Sequence, residues 1–211
     1  MRRDDVTQTA APFRSAVRWT LLLSAALLSA CAGLPERAAA PLRYDFGPAA
    51  AVLTQPAPGT RPLLALRVQA SPALDSPAML YRLAYADAQQ LRAYSQARWA
   101  MVPAELVQQR LREGLGRQFV LTPGDVAPRL LLIELEEFSQ LFSSAEQSAG
   151  LLRLRATLLQ RTAAGEQLLA QRELQLQQPA ASADAAGGVR ALGAATDAAV
   201  TELVQWLQTE R

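Results

Sequence analysis

The sequence contains no histidine and no lysine, and its only cysteine is Cys31. Without histidine the chain cannot form a Ser-His-Asp triad, a Cys-His dyad or a Cys/His metal site. A single cysteine also excludes a disulfide within the chain, so stability has to come from packing. We therefore predict a protein that is not an enzyme and that holds no metal and no cofactor. Any catalytic site would have to work with carboxylates alone.

An excess of basic charge is also missing from most of the chain. Four of the 21 basic residues and two of the 19 acidic residues lie in residues 1–30, which leaves 17 of each in the remainder. The isoelectric point of about 9.1 therefore reflects the N-terminus. The balanced remainder does not point to nucleic-acid binding.

The cysteine closes a lipobox, which is a branched apolar residue and two small residues placed directly before a cysteine. These residues are Leu28, Ser29, Ala30 and Cys31. The apolar run before them, residues 19–28, is much shorter than the roughly 20 residues that span a bilayer. The pattern predicts a lipoprotein signal peptide over residues 1–30 and an N-acyl diacylglyceryl modification on Cys31. The alternative is a free thiol that follows an uncleaved apolar helix.

The residue after the cysteine bears on the destination of the protein. By resemblance to other bacterial lipoproteins, an Asp there favours the inner membrane, so Ala32 predicts the periplasmic face of the outer membrane. Residues 31–43 are rich in Ala and Pro and are predicted to be the lipidated cysteine and a flexible tether. Residues 44–211 are then a single periplasmic domain.

Hydrophobic periodicity predicts the elements of this domain. The predicted strands are residues 44–46, 63–70, 79–86, 91–97, 129–138, 152–158 and 168–176. One amphipathic helix begins at Pro103, and a second ends the chain, with Ser182 or Asp184 as its cap and a start delayed by Gly187-Gly188. Residues 139–150 are expected to be a flexible loop. The fold class is α+β: a mixed or mostly antiparallel sheet of about five to six strands with two helices on one face.

Three residues are candidate contacts with a partner or with a second copy in a homo-oligomer: Arg82, Trp99 and Trp206. For Arg82 two other interpretations stay open, namely a buried ion pair with one of Glu134, Glu136 and Glu173 and an ordinary strand residue that faces solvent. Trp99 is predicted to fill the junction between sheet and helix rather than to anchor an interface. Trp206 lies beside the apolar stripe of the last helix, which leaves an exposed oligomer contact open.

The acidic cluster Glu134, Glu136 and Glu137 has two interpretations. Neighbouring carboxylates can carry out glycosidase-type acid/base chemistry. Alternation along a strand instead predicts a solvated face whose carboxylates pair with Arg153 and Arg155 on the next strand. We favour the second interpretation, because nothing else in the chain would complete a catalytic site.

Several short motifs after the lipobox together resemble the ABC-type transport auxiliary lipoprotein family. They are Tyr44, Pro72-Ala73-Leu74-Asp75, Tyr81-Arg82, Trp99-Ala100 before Pro103, and Trp206-Leu207. The resemblance implies a non-catalytic periplasmic subunit of a lipid transport system, which docks at the outer membrane. Its implied partners are a mammalian-cell-entry-domain protein and an inner-membrane ABC permease and ATPase.

Two further functions stay open at this point, namely an envelope scaffold lipoprotein that handles no lipid cargo and a carboxylate-based hydrolase acting on cell-wall sugars. Within the transport hypothesis, the domain could carry lipid in a cavity or only dock. The modest, even set of apolar positions favours a filled core.

Overall fold

The computed structural model describes residues 39–48, 62–122 and 127–210. The predicted signal peptide, with Leu28, Ser29, Ala30 and Cys31, lies outside the described residues. The chain divides after Ala39, and the folded unit described below begins at Ala40.

In chain order, the described residues form eight strands and two α-helices. They are β1 (Leu42–Tyr44), β2 (Leu63–Ala70), β3 (Ala78–Leu83), β4 (Asp87–Trp99), α1 (Pro103–Leu115), β5 (Val120–Leu121), β6 (Arg129–Phe142), β7 (Ser148–Thr162), β8 (Gly165–Pro179) and α2 (Ala185–Thr209). A short 3-10 turn, Pro72–Leu74, separates β2 from β3.

Strand β6 is the centre of a mixed sheet. On one side it pairs antiparallel with β7 along its whole length, and β7 pairs with β8. On the other side β2 and β3 lie end to end, both parallel to β6, against residues 130–135 and 140–142 respectively. Strand β5 extends the sheet beyond β2, whereas β4 and then β1 extend it beyond β3.

The α+β class is confirmed, but the sheet has 8 strands rather than about five to six. Strands that lie end to end account for the difference. Strands β2 and β3 both pair with the same edge of β6, and β5 and β4 each add a strand outside them. The two-residue strand β5 has too few residues to show a period.

The core lies between one face of this sheet and the two helices. Leu131, Ile133 and Leu135 alternate along β6 toward the core, and Leu192 and Leu203 of α2 pack in the same cluster. Helix α1 contributes Leu106, Val107, Leu111 and Leu115 to it. Both helices therefore cover the same apolar face, as the period-3.6 stripes predict.

The prediction of a flexible loop at residues 139–150 is wrong. Strand β6 continues to Phe142 and β7 begins at Ser148, with a turn closed by Ser143 N–H donating to the Gln147 carbonyl at 3.0 Å. The apolar pattern breaks because Gln140 is a buried polar residue. Its amide donates to Ser148 Oγ at 2.7 Å, which makes its burial tolerable.

Helix α2 begins earlier than the sequence suggests. The Asp184 carboxylate accepts the Gly187 N–H at 2.7 Å and caps the helix, as predicted. The predicted delay at Gly187-Gly188 is wrong, because both glycines are buried in the first turns. A Cβ on Gly188 would clash with Gln140 Oε1, so this glycine allows a close approach of helix and sheet.

Other boundaries also differ from prediction. The edge strand expected at residues 44–46 is β1, Leu42–Tyr44, and the turn expected at residues 87–90 lies before Asp87. Element ends depend on tertiary pairing, which a local pattern does not contain.

Candidate functional site: the anchor of the N-terminal segment and the outer sheet face

The segment that leads from the N-terminus into the domain is fastened at the sheet edge. Strand β1 pairs parallel with the end of β4, in a register that sets Leu42 beside Ala97 and Tyr44 beside Trp99. The Ala100 N–H donates to the Tyr44 carbonyl at 2.7 Å. A strand of three residues provides few such bonds, so further contacts have to hold the segment.

Phe46 provides one of these contacts, because its partly buried ring packs against the core. It packs edge-on against Trp99 and Phe138, with ring centroids 5.9 and 6.1 Å apart. Trp99 is 2% exposed and lies between the sheet and the start of α1. It therefore has the filling role that the sequence favoured, and its burial contradicts its use as a partner contact.

Arg110 provides the second contact, from α1. Its guanidinium donates to the Phe46 carbonyl at 3.0 Å and to the Gly47 carbonyl at 3.4 Å, and it lies 5.6 Å from the centre of the Phe46 ring. Its Nε is 3.5 Å from a carboxylate oxygen of Asp197 on α2. One side chain, only 6% exposed, thus ties the incoming segment to both helices.

We call Phe46, Gly47 and Arg110, together with β1, the segment anchor. Sequence reasoning missed Arg110, because an arginine in an amphipathic helix is ordinarily solvated. A signal for it exists: Arg110 is four residues after Leu106 and three after Val107, so it lies on the apolar stripe. A cleft of about 370 Å³ opens beside the anchor, lined in part by Met101 and Gln109.

The segment anchor is held by a guanidinium, an aromatic ring and backbone carbonyl groups. Among the described residues, no cluster of three or more acidic side chains is placed to hold a metal ion.

The opposite, outer face of the sheet carries the predicted ion pairs, with one different partner. Arg82 pairs with Glu137 at 3.1 Å and also donates to the carbonyls of Ala88 and Gln89. A pairing irregularity between Leu135 and Glu137 brings Glu137 to the outer face. The Arg82 guanidinium therefore has its main partners within the domain. The predicted pairing with Glu134, Glu136 or Glu173 is wrong, because the prediction assumed regular alternation along the strand and a β-bulge changes which residues face outward.

Glu136 pairs with Arg153 at 3.0 Å and with Arg155 at 3.2 Å, as the sequence predicted. Arg155 also contacts Glu173, and this hydrogen bond, with the charges of Glu136 and Glu173, raises the pKa of Arg155. These carboxylates lie in ion pairs with arginines, which agrees with the solvated-face interpretation and provides no support for acid/base chemistry.

Trp206 is 7% exposed and belongs to the core face of α2. The exposed oligomer contact considered for it is wrong, because Trp206 lies three residues after the buried Leu203 and shares its face of α2. The large apolar side chains that are exposed include Tyr85 after β3 and Leu168 and Leu169 on the edge strand β8.

A polar chain crosses the interior between sheet and α2. The Tyr94 hydroxyl donates to Gln140 Oε1 at 2.9 Å, and Gln140 in turn donates to Ser148. Burial, together with the neighbouring Tyr81 and Asp184, raises the pKa of Tyr94 to about 12. The raised pKa keeps the Tyr94 hydroxyl neutral, which is the form that burial favours.

Neither described helix is both long enough and apolar enough to cross a membrane.

The sequence profile of a family described as ABC-type transport auxiliary lipoprotein component matches residues 44–204. The chain matches no curated protein. Among solved structures, it is similar to a Xanthomonas campestris protein of the DUF330 family, with 21% identity and a TM-score of 0.63 over 82% of this chain and 95% of that one. It is also similar to an uncharacterized protein, with 13% identity and a TM-score of 0.60 over 80% and 99% of the two chains. These structural likenesses support the fold.

Proposed function

Because the chain belongs to the family of ABC-type transport auxiliary lipoproteins, we propose that it is a lipid-anchored accessory subunit of an intermembrane lipid transporter. In this proposal it sits on the periplasmic face of the outer membrane and docks a mammalian-cell-entry-domain protein. That protein works with an inner-membrane ABC permease and ATPase. The role is tethering and docking rather than catalysis.

The segment anchor is the observation that supports a tethering role. A subunit that tethers a partner protein to a membrane transmits force from its acyl chains into its folded domain. That force enters at the first residues of the domain. Here those residues are held by Arg110 and by the Phe46 ring, which packs against the core.

The lipobox supplies the other end of the tether. About 10 residues separate Cys31 from β1, so a fully extended tether spans at most roughly 35 Å. Acyl chains contribute about 0.8 kcal/mol per buried methylene, so three of them would hold the lipidated Cys31 firmly in a leaflet. The domain thus stays close to the membrane that carries it.

The energy for transport has to come from another subunit. A Walker A loop requires a lysine, and this sequence contains none. We therefore assign ATP chemistry to the partner ATPase.

The same absence of lysine decides the design of the test, because amine-reactive crosslinkers have no side chain to label. We would place a photo-crosslinking amino acid at Tyr85 or at Leu168, both exposed. After irradiation of intact envelopes, mass spectrometry should identify a mammalian-cell-entry-domain protein in the crosslinked product. Cys31→Ala, which cannot be acylated, is the matched control and should lose the crosslink.

Crosslinks only to wall-associated proteins would contradict the transport role and favour the scaffold lipoprotein. Mass spectrometry of the mature N-terminus tests the membrane anchor separately. An unacylated Cys31 with the leader still attached would refute it.

A further inference from the structure

The direction of β1 indicates from which end of the sheet the N-terminal segment enters the domain. Strand β1 runs parallel to the last residues of β4, with Leu42 beside Ala97. Strand β4 runs away from the turn, residues 84–86, that joins it to β3. Ala40 and Pro41 precede β1 without a turn or bend. The segment therefore enters from the end of the sheet at which the β3–β4 turn lies.

The β3–β4 turn is within reach of the tether. The Ala84 N–H donates to the Phe142 carbonyl at 2.9 Å, which sets the turn beside the last residue of β6. Strand β3 is 6 residues long, and its first residue, Ala78, pairs with Arg98, next to the level of β1. At roughly 3.3 Å per residue, the turn is about 17 Å from that level. A tether that spans at most roughly 35 Å can therefore bring this end of the sheet to the membrane.

The turn presents an aromatic ring to the outside. Tyr85 is 53% exposed, and of the described aromatic side chains it alone is exposed. A tyrosine has an apolar ring and a polar hydroxyl, a combination that suits the boundary between lipid and water. The position and the chemistry of Tyr85 thus agree with contact to a lipid surface.

The backbone that carries Tyr85 is fixed from within the domain. Arg82 donates to the carbonyls of Ala88 and Gln89 across the turn, at 3.4 and 3.1 Å. Its guanidinium is held in turn by Glu137 at 3.1 Å. A side chain on a fixed backbone loses less conformational entropy on making a contact than one on a mobile loop.

The charges beside the turn do not favour anionic lipid. Asp87 and Glu146 are exposed at this end of the sheet. Each accepts a hydrogen bond within the domain, Asp87 from the Gln89 N–H at 2.9 Å and Glu146 from the Ser144 hydroxyl at 3.2 Å. Contact with a membrane would therefore depend on the tyrosine ring and not on attraction to anionic headgroups.

We infer that the β3–β4 turn is the membrane-facing end of the domain, with the Tyr85 ring at the lipid surface. The inference rests on the lipid anchor of the proposed function and adds the orientation of the domain on its membrane. The opposite end of the sheet, where Leu168 and Leu169 are exposed, is then directed away from the membrane and open to the partner protein.

The single cysteine makes a direct test possible. The sulfur of Cys31 is blocked once it is acylated, so a thiol-reactive fluorophore labels only an introduced cysteine. The mature lipoprotein with Tyr85→Cys or Leu168→Cys is labelled with nitrobenzoxadiazole and reconstituted into phosphatidylcholine vesicles that contain a lipid with a quencher near its headgroup. We expect a blue shift and loss of fluorescence for the label at residue 85 and neither for the label at residue 168. The two variants are matched, because each replaces a large exposed side chain.

A third label position tests the tyrosine itself. Gln89→Cys places the fluorophore on an exposed residue of the same end and keeps Tyr85 in place. The lipid quencher should reduce its fluorescence, and Tyr85→Ser should abolish most of that reduction. Equal quenching with and without the tyrosine would overturn its contact with the lipid surface. Quenching that requires phosphatidylglycerol in the vesicles would overturn it as well, because attraction by charge would then be the cause.

The chain without an introduced cysteine separates this inference from the proposed function. Uptake of the fluorophore by that chain would reveal a free thiol at Cys31 and refute the lipid anchor itself. If the chain takes up no fluorophore and floats with the vesicles, the anchor stands. Absence of quenching at residue 85, or stronger quenching at residue 168, then overturns the orientation alone.

Discussion

Replacing Arg110 by methionine should release the N-terminal segment from the domain. Methionine keeps most of the packing of the aliphatic stem but removes the guanidinium from the carbonyls of Phe46 and Gly47. A hydrogen bond from a charged donor contributes about 1.5–3 kcal/mol, and the contact with the Phe46 ring adds about 0.5–1 kcal/mol. The pairs with Asp197 and Glu113 add little, because both carboxylates are exposed.

We therefore expect a loss of about 3 kcal/mol from the local stability of the anchor. That free energy corresponds to roughly a hundredfold faster exchange of the amide protons that report on β1. The Ala100 N–H, which donates to the Tyr44 carbonyl, is the amide to follow by hydrogen exchange. Amides in the β6–β7 ladder should exchange at their original rates.

Arg112→Met is the matched control. It removes the same charge two residues further along α1, from an exposed side chain that does not contact the segment. A change of less than about threefold at Ala100 in the Arg110 variant, or an equal change in both variants, would refute the idea that Arg110 locks the segment.

Three further predictions concern helix α2, the interior polar chain and the lipobox. Asp184→Ala should reduce the free energy of unfolding by about 1 kcal/mol in urea denaturation through loss of the cap; Asp184→Asn should retain the cap. Because the Gly187 N–H and the Ser182 hydroxyl hold the pKa of Asp184 below its usual value of 3.8, the wild-type contribution should disappear only as the pH falls through that lowered pKa. Tyr94 has a raised pKa, so its contribution to the free energy of unfolding is complete below pH 10. That contribution should be lost as the pH rises toward about 12. Tyr94→Phe should flatten that part of the stability profile, and an unchanged slope would contradict the assignment. Finally, Ala32→Asp should move the lipoprotein to the inner-membrane fraction of a sucrose gradient, whereas Ala32→Ser should not.

The alternating and helical patterns predicted most of the elements, because their apolar faces repeat with the period of the structure that they form. Leu63–Ala70 is a strand in prediction and in structure, and Pro103 begins α1. The failures lie where a tertiary contact overrides the local pattern. Gln140 looked like part of a loop because its partners Tyr94 and Ser148 are supplied by other strands.

The candidate site was harder to predict than the fold. Arg82 does form an ion pair, but its partner is Glu137, whose outward position depends on a β-bulge that no sequence pattern indicates. Arg110 lies on an apolar stripe, yet its partners are carbonyl groups some sixty residues away in the chain. A pattern of side chains carries no information about which backbone groups lack a partner.

The end-to-end arrangement of β2 and β3 on β6 divides the sheet into two halves. In one half, β1, β4 and β3 connect to β6 at residues 140–142. In the other half, β5 and β2 connect to β6 at residues 130–135. Under the proposed tethering role, load on the N-terminal segment would reach β6 through this first half by backbone pairing, and would reach Phe138 and both helices through the side chains of Phe46 and Arg110.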